Sequence, residues 1–286
     1  MYTTLIDPAE LAAQCANPDW AIIDCRFDLA RPQWGAQAYA AAHIPGAIYA
    51  HLDQDLSGRI TPHSGRHPLP EITILAETLG GWGIDSRVQV TAYDQGNGAY
   101  AARLWWLLRW LGHPGVAVLN GGFAAWQQAD LPVSVDPTVR AARRFTARPE
   151  GSQVVPTEDL ARWVLAGELT GGSRTLIDAR SADRFAGQNE TLDPVAGHVP
   201  GALNHPFARN LDGQGRFLPA AELRARWLGT LRGRAASSAI AMCGSGVTAC
   251  HDLLALEVAG LLGAQLYAGS WSEWIRDVRR PVEPPR

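Results

Sequence analysis

The residues best placed to do chemistry lie between Ser238 and Gly263. Ala239 to Met242 is a short apolar run suited to a buried strand, and Cys243 to Thr248 is a loop of small residues. From about Val247 to Leu262 apolar residues recur at helical spacing, and Gly263 stands where a helix would stop. A cysteine between a strand and a helix meets backbone N–H groups that have no intrahelical acceptor, and the helix dipole adds positive charge there. Gly244 and Gly246 permit a tight curl that turns the N–H groups of Gly244 through Thr248 inward as an anion nest. A thiol facing such a nest is expected to ionise readily, and the thiolate is the nucleophilic form.

The elements that must position this cysteine occur twice. AIIDC, from Ala21, returns as TLIDA, from Thr175; AHIPGAIY, from Ala42, returns as GHVPGALN, from Gly197. The strand run Val88 to Tyr93 returns as Ala239 to Met242, and GGFAAW, from Gly121, returns as GSWSEW, from Gly269. Pro70 to Trp82 and Gly98 to Leu111 have helical spacing. Matching element order over so long a period means two copies of one domain rather than a solenoid. Alternating strands and helices predict an α/β fold, each copy a mainly parallel sheet flanked by helices. The predicted boundaries are 1–136 and 154–286, with 137–153 a surface linker that carries Pro137, Pro149 and four arginines. The position that matches Cys243 in the first copy is Asp94, which is no sulfur nucleophile.

The loop CGSGVTA and the D-x-R, H-[IV]-P-G-A and G-x-x-x-W patterns of both halves resemble the rhodanese-like sulfurtransferases. The loop is most similar to that of 3-mercaptopyruvate sulfurtransferases. The resemblance covers nearly the whole chain, less the linker and the last few residues. It implies two tandem rhodanese-like domains, the first catalytically inactive and the second catalytic. Cys243 would take sulfane sulfur from a small-molecule donor, hold it as a persulfide and pass it to cyanide, a thiol or a dithiol. The charge of a persulfide sits on its outer sulfur, where the N–H groups of Gly244, Gly246, Val247 and Thr248 would stabilise it. A six-residue loop is the length the family associates with sulfur rather than phosphate.

The same resemblance implies the other site residues. Arg184, in DARSADRFAG, matches a substrate-binding arginine that grips a carboxylate through two hydrogen bonds. The neutral loop interior favours 3-mercaptopyruvate, with thiosulfate the alternative donor. A second substrate arginine is usual nine residues on, but this chain has Asp193 there. Ser245 matches a loop serine that works with a histidine and an aspartate of the N-terminal half to move a proton. The best matches are His67 and Asp53, with His63 and Asp55 left open by a length difference. Arg180 and Arg26 recur in both D-x-R motifs and read as structural, as do His43 and His198 before Pro-Gly turns. Trp271, Trp274, Trp126 and Phe123 read as core, with Trp271 a candidate wall of the persulfide pocket.

Composition excludes other classes. A net charge of -3 gives no hold on nucleic acid. The chain has no lysine, which removes Schiff-base chemistry and a phosphate-loop lysine. Four cysteines without a CxxC pair fit neither a thioredoxin site nor a zinc ribbon, and suggest a reducing compartment. No signal peptide or ~20-residue apolar span is present, so a cytoplasmic protein without membrane attachment is expected; sulfur exchange needs only the thiolate and its nest, so no metal or organic cofactor is expected. A cysteine phosphatase would need C-x5-R, and Ala249 stands six residues after Cys243. A non-catalytic sulfur-binding or sensing module would show a missing or buried cysteine in both copies, and Cys243 in its glycine loop argues against it.

Overall fold

A computed structural model of the chain describes residues 1–283. The chain divides into two compact units. The first holds Met1–Gly58, Leu69–Glu150 and Gly213–Phe217; the second holds Arg59–Pro68, Gly151–Asp212 and the chain from Leu218 onward.

In the first unit the strands are β1 (Leu5–Ile6), β2 (Trp20–Asp24), β3 (Ala47–Tyr49), β4 (Gln89–Tyr93) and β5 (Val116–Leu119). They pair in the order β1-β5-β4-β2-β3, all parallel. The helices are α1 (Pro8–Ala12), α2 (Trp34–Ala41), α3 (Ile72–Gly81), α4 (Ala101–Trp110) and α5 (Gly122–Gln128). β4 is buried along its whole length, as an apolar run inside a parallel sheet must be.

The second unit repeats this plan. Its elements are α6 (Thr157–Leu165), β6 (Thr175–Asp178), α7 (Ala182–Phe185), β7 (Leu203–Asn204), α8 (Ala220–Leu231), β8 (Ala239–Met242), α9 (Thr248–Val258), β9 (Gln265–Leu266) and α10 (Ser270–Trp274). The strand order β7-β6-β8-β9 is again parallel and matches β3-β2-β4-β5. A parallel bridge from Val154 to Leu266 takes the place of β1. The core gathers Leu160, Leu176, Ile240, Met242, Trp271 and Trp274.

The repeated motifs are repeated braces. Asp24 and Arg26 form a buried ion pair at the end of β2, and Arg26 Nη2 also donates to the Ala42 carbonyl. Asp178 and Arg180 do the same after β6, with Arg180 Nη2 donating to the Gly197 carbonyl. His43 stacks on Tyr39 and bonds its carbonyl through Nδ1; His198 does so with Phe185.

Two details differ from the sequence expectation. Helix α9 ends at Val258, not near Leu262, because Gly260 takes a φ of +69° that stops the helix. Leu262 is consequently exposed. The segment expected as a linker runs against the first unit as far as Glu150: Arg143, Arg148 and Glu150 donate backbone N–H groups to the carbonyls of Gly80, Leu111 and Trp110.

Candidate active site

Cys243 follows the last residue of β8 and is 2% exposed. Its Sγ accepts the Gly246 N–H at 3.1 Å. Gly246 has a φ of +79°, and a Cβ there would sit 2.3 Å from the Ala268 carbonyl oxygen, so the curl requires glycine. Among the described residues the N–H groups of Gly244, Ser245, Val247 and Thr248 meet no protein acceptor. They line the start of α9, where a second anionic atom on the sulfur would find them.

The loop is pinned from the turn before α10. The Cys243 N–H donates to Ser270 Oγ at 3.0 Å. The Cys243 and Gly244 carbonyls accept N–H groups from Trp271 and Ser272 at 3.0 and 2.9 Å. Ser270 adopts a φ of +53°, a left-handed conformation rare outside glycine, and its hydroxyl also donates to the Tyr267 carbonyl. Trp271 is fully buried, with its indole N–H on the Val195 carbonyl and Arg180 over its ring, so it is core rather than pocket wall.

The segment Gly65–His67 belongs to this same unit. Gly65 lies so close to the α10 turn that a Cβ would meet the Gly269 carbonyl oxygen at 2.6 Å. The Arg66 N–H donates to Ser272 Oγ at 3.0 Å. His67 Nδ1 then lies 2.7 Å from Ser245 Oγ, both residues being buried. His63 is exposed, with its backbone N–H on Thr61 Oγ1. Asp53 and Asp55 lie in the first unit: Asp53 is exposed and donates its backbone N–H to His51 Nδ1, while Asp55 Oδ2 accepts the His51 N–H.

Charge gathers over Gly244. An ideal Cβ on Gly244 would lie 3.0 Å from Arg66 Nη2 and 3.5 and 3.6 Å from the two terminal nitrogens of Arg184. Arg184 pairs with Glu190 at 2.9 Å and with Asp193 at 3.2 Å, and Arg66 pairs with the other oxygen of Asp193. Burial pushes the Asp193 carboxyl above its ordinary range and Glu190 adds to this, against the pull of Arg66 and Arg184. Burial acts the same way on Glu190, but Arg184 and the N–H groups of Leu192 and Asp193 bring it below its ordinary value. In α9, Asp252 is fully buried and accepts Asn210 Nδ2 at 2.8 Å; burial pushes its carboxyl well up.

This strand, loop and helix, given twice with one cysteine, has known counterparts. A family model described as a rhodanese-like domain matches residues 7–129 and again 161–277. The chain belongs to the rhodanese-like family. A Pseudomonas aeruginosa protein named a probable 3-mercaptopyruvate sulfurtransferase is 47% identical over 280 residues, covering 97% of each chain. The 3-mercaptopyruvate sulfurtransferase of Escherichia coli K12 is 35% identical over 99% of each chain. A Mycobacterium tuberculosis protein with a provisional thiosulfate sulfurtransferase name, SseB, is 38% identical over 97% of this chain and 96% of its own. Among solved structures, the Escherichia coli enzyme SseA superposes with a TM-score of 0.81 at 32% identity, covering 95% of this chain and all of its own.

Within this rhodanese-like chain, the structure brings Cys243, Ser245, His67 and Arg184 together with the loop residues Gly244, Gly246, Val247 and Thr248 in one unit. Arg66 and Glu190 were not singled out by sequence reasoning. The signal available for Arg66 was slight: it adjoins His67, in a chain whose second expected arginine is an aspartate. Among the described residues no cluster of His, Cys, Asp and Glu could hold a metal, and no helix is long and apolar enough to cross a membrane.

Proposed function

We propose that the protein is a sulfurtransferase that takes sulfur from 3-mercaptopyruvate onto Cys243. The observation that carries this reading is the loop itself: a buried sulfur with one amide on it and further N–H groups beside it, under two guanidinium groups at Gly244. The names of relatives at 47% and 35% identity support the same donor.

In this reading the Cys243 thiolate attacks the donor sulfur. The C–S bond breaks, its electron pair goes to carbon, and the resulting enolate takes up the thiol proton to become pyruvate. Ser245 and His67, 2.7 Å apart, move that proton. The N–H groups of the loop hold the outer sulfur of the Cys–S–S⁻ product. A thiol, a dithiol or cyanide then takes the outer sulfur and returns the Cys243 thiolate. A part for Asp53 in the relay rests on the resemblance and is tested by Asp53→Asn, which should lower kcat for 3-mercaptopyruvate.

Thiosulfate is the second reading. Two guanidinium groups at Gly244 suit a dianion as well as a carboxylate, and the Mycobacterium tuberculosis relative bears that name. Comparing kcat/KM for the two donors separates them: a clear preference for thiosulfate overturns the donor and leaves the sulfur chemistry. Mass spectrometry should find one added sulfur on Cys243 after donor treatment; its absence with both donors defeats the enzyme reading and favours a non-catalytic module. We assign the protein to the cytoplasm, consistent with four free cysteines.

A further inference from the structure

Among the described residues, those other than glycine that take the left-handed conformation are Asp130, Asn189, Arg232 and Ser270. The first three are exposed, and Asp and Asn tolerate this region well. Ser270 is fully buried, against the sulfur loop. A buried residue held in an unfavourable backbone conformation points to a task that its surroundings enforce.

The first unit shows the same turn without the serine. The residue that matches Ser270 there is Gly122, at φ +57°. Phe123 and Ala124 donate N–H groups to the Asp94 and Gln95 carbonyls at 2.8 and 2.9 Å, as Trp271 and Ser272 do to Cys243 and Gly244. The turn thus closes on its loop with glycine alone. It has no room for more: a Cβ on Gly122 would lie 2.6 Å from the Asp94 carbonyl oxygen and 2.8 Å from the Gly96 nitrogen. The second unit keeps nearly the same φ, makes that room and places a hydroxyl in it.

The hydroxyl links the nucleophile to the end of the neighbouring strand. It accepts the Cys243 N–H and donates to the Tyr267 carbonyl, each at 3.0 Å. Cys243 is therefore held at its N–H by Ser270 and at its carbonyl by the Trp271 N–H. In the sulfurtransferase reading Sγ gains and loses a bonded sulfur at every turnover. Contacts made by the sulfur itself change through that cycle, whereas the two holds on the main chain do not.

We propose that Ser270 is a positioning residue for the nucleophile: its hydroxyl, kept at a turn position whose backbone favours glycine, holds the Cys243 amide and so aims Sγ at the Gly246 N–H and the donor. The inference rests on the sulfurtransferase reading but not on which donor is preferred.

The test compares the wild type with Ser270→Gly and Ser270→Ala. It measures thermal melting, steady-state kinetics with 3-mercaptopyruvate and with thiosulfate, and the rate of sulfur loading on Cys243 by mass spectrometry. Both variants lose the hydroxyl, so both should lower kcat and the loading rate by about 10- to 100-fold, with KM for the preferred donor changed only a few-fold. Glycine relieves the backbone and alanine does not, so Ser270→Gly should melt about 2–4 °C above Ser270→Ala while being no more active. A serine that served the fold alone would make activity follow stability, with the glycine variant the more active of the two. A folded Ser270→Gly that loads sulfur within about twofold of the wild-type rate overturns the proposal, as does a loss confined to KM. A glycine variant that fails to fold, or melts below the alanine variant, also overturns it, because the turn would then not favour glycine. The wild type separates this failure from that of the enzyme reading: loading by neither donor overturns both, whereas equal loading of wild type and Ser270→Gly overturns the positioning role alone.

Discussion

The loop after β4 and the loop after β8 are the same device in two states. In the second unit, Cys243 Sγ takes one N–H, from Gly246, and four neighbouring N–H groups have no protein acceptor among the described residues. In the first unit the matching residue, Asp94, fills the nest with its own side chain. Its Oδ1 accepts the N–H groups of Gly96 and Gly98, each at 3.0 Å, and its Oδ2 accepts those of Tyr100 and Ala101 at 2.9 and 3.3 Å. The first loop is also longer: six residues separate Asp94 from the start of α4, against four between Cys243 and α9. The extra length lets the backbone wrap a carboxylate; the shorter turn leaves room at a sulfur. A fold that makes an anion nest at the end of a central strand can therefore either plug it for stability or leave it open for chemistry.

The strongest way to break this comparison is to exchange the roles. Cys243→Ser should reduce thiocyanate formation by about 1000-fold or more, because a serine hydroxyl cannot carry sulfane sulfur. Asp94→Ala should change kcat by no more than a few-fold in the same assay. Undiminished turnover in Cys243→Ser, or an equal loss in Asp94→Ala, would remove the assignment of chemistry to one loop alone.

A smaller effect should follow from Gly246→Ala. The residue sits at φ +79°, and the new methyl would press on the Ala268 carbonyl oxygen. The strain should cost about 1–3 kcal/mol of stability, read from urea unfolding. Displacing the amide that meets Sγ should also slow turnover by about 10- to 100-fold. Normal turnover in a folded variant would show that this amide does not serve the sulfur.

Much of this arrangement is legible in the sequence because it depends on local rules. Apolar runs mark β4 and β8, glycines mark the curl at Cys243, and the D-x-R pairs recur because each arginine reaches back two residues to its own aspartate. The end of α9 is not legible in the sequence because Leu261 and Leu262 continue the helical spacing beyond Gly260, which stops it. Arg66 was out of reach for a different reason. Its place is set by Gly65 and Ser272, more than 200 residues apart, and no periodicity links segments so far apart. The same contact separates His67, the best match in sequence, from His63, which a length difference left open.

The smallest of these effects, and the one that bears most directly on the plugged loop, is the cost of Asp94→Asn. An amide side chain has one oxygen, so it can satisfy two of the four N–H groups and turns its own donors on the other two. Leaving two buried donors unpaired should cost about 1–3 kcal/mol, with turnover little changed. The pH dependence has a definite sign. Burial pushes the Asp94 carboxyl above its ordinary value, against the four N–H groups that favour the carboxylate. A group whose folded pKa is raised contributes stability that is present below its unfolded pKa and is lost as pH rises through the folded one. The wild type therefore sheds that contribution as pH rises from about 4, while asparagine does not titrate. The cost of Asp94→Asn, measured by urea unfolding, should be larger near pH 4 than near pH 7. A cost that grows with pH instead would mean that the four amides outweigh burial, making the first loop as strong an anion site as the open one.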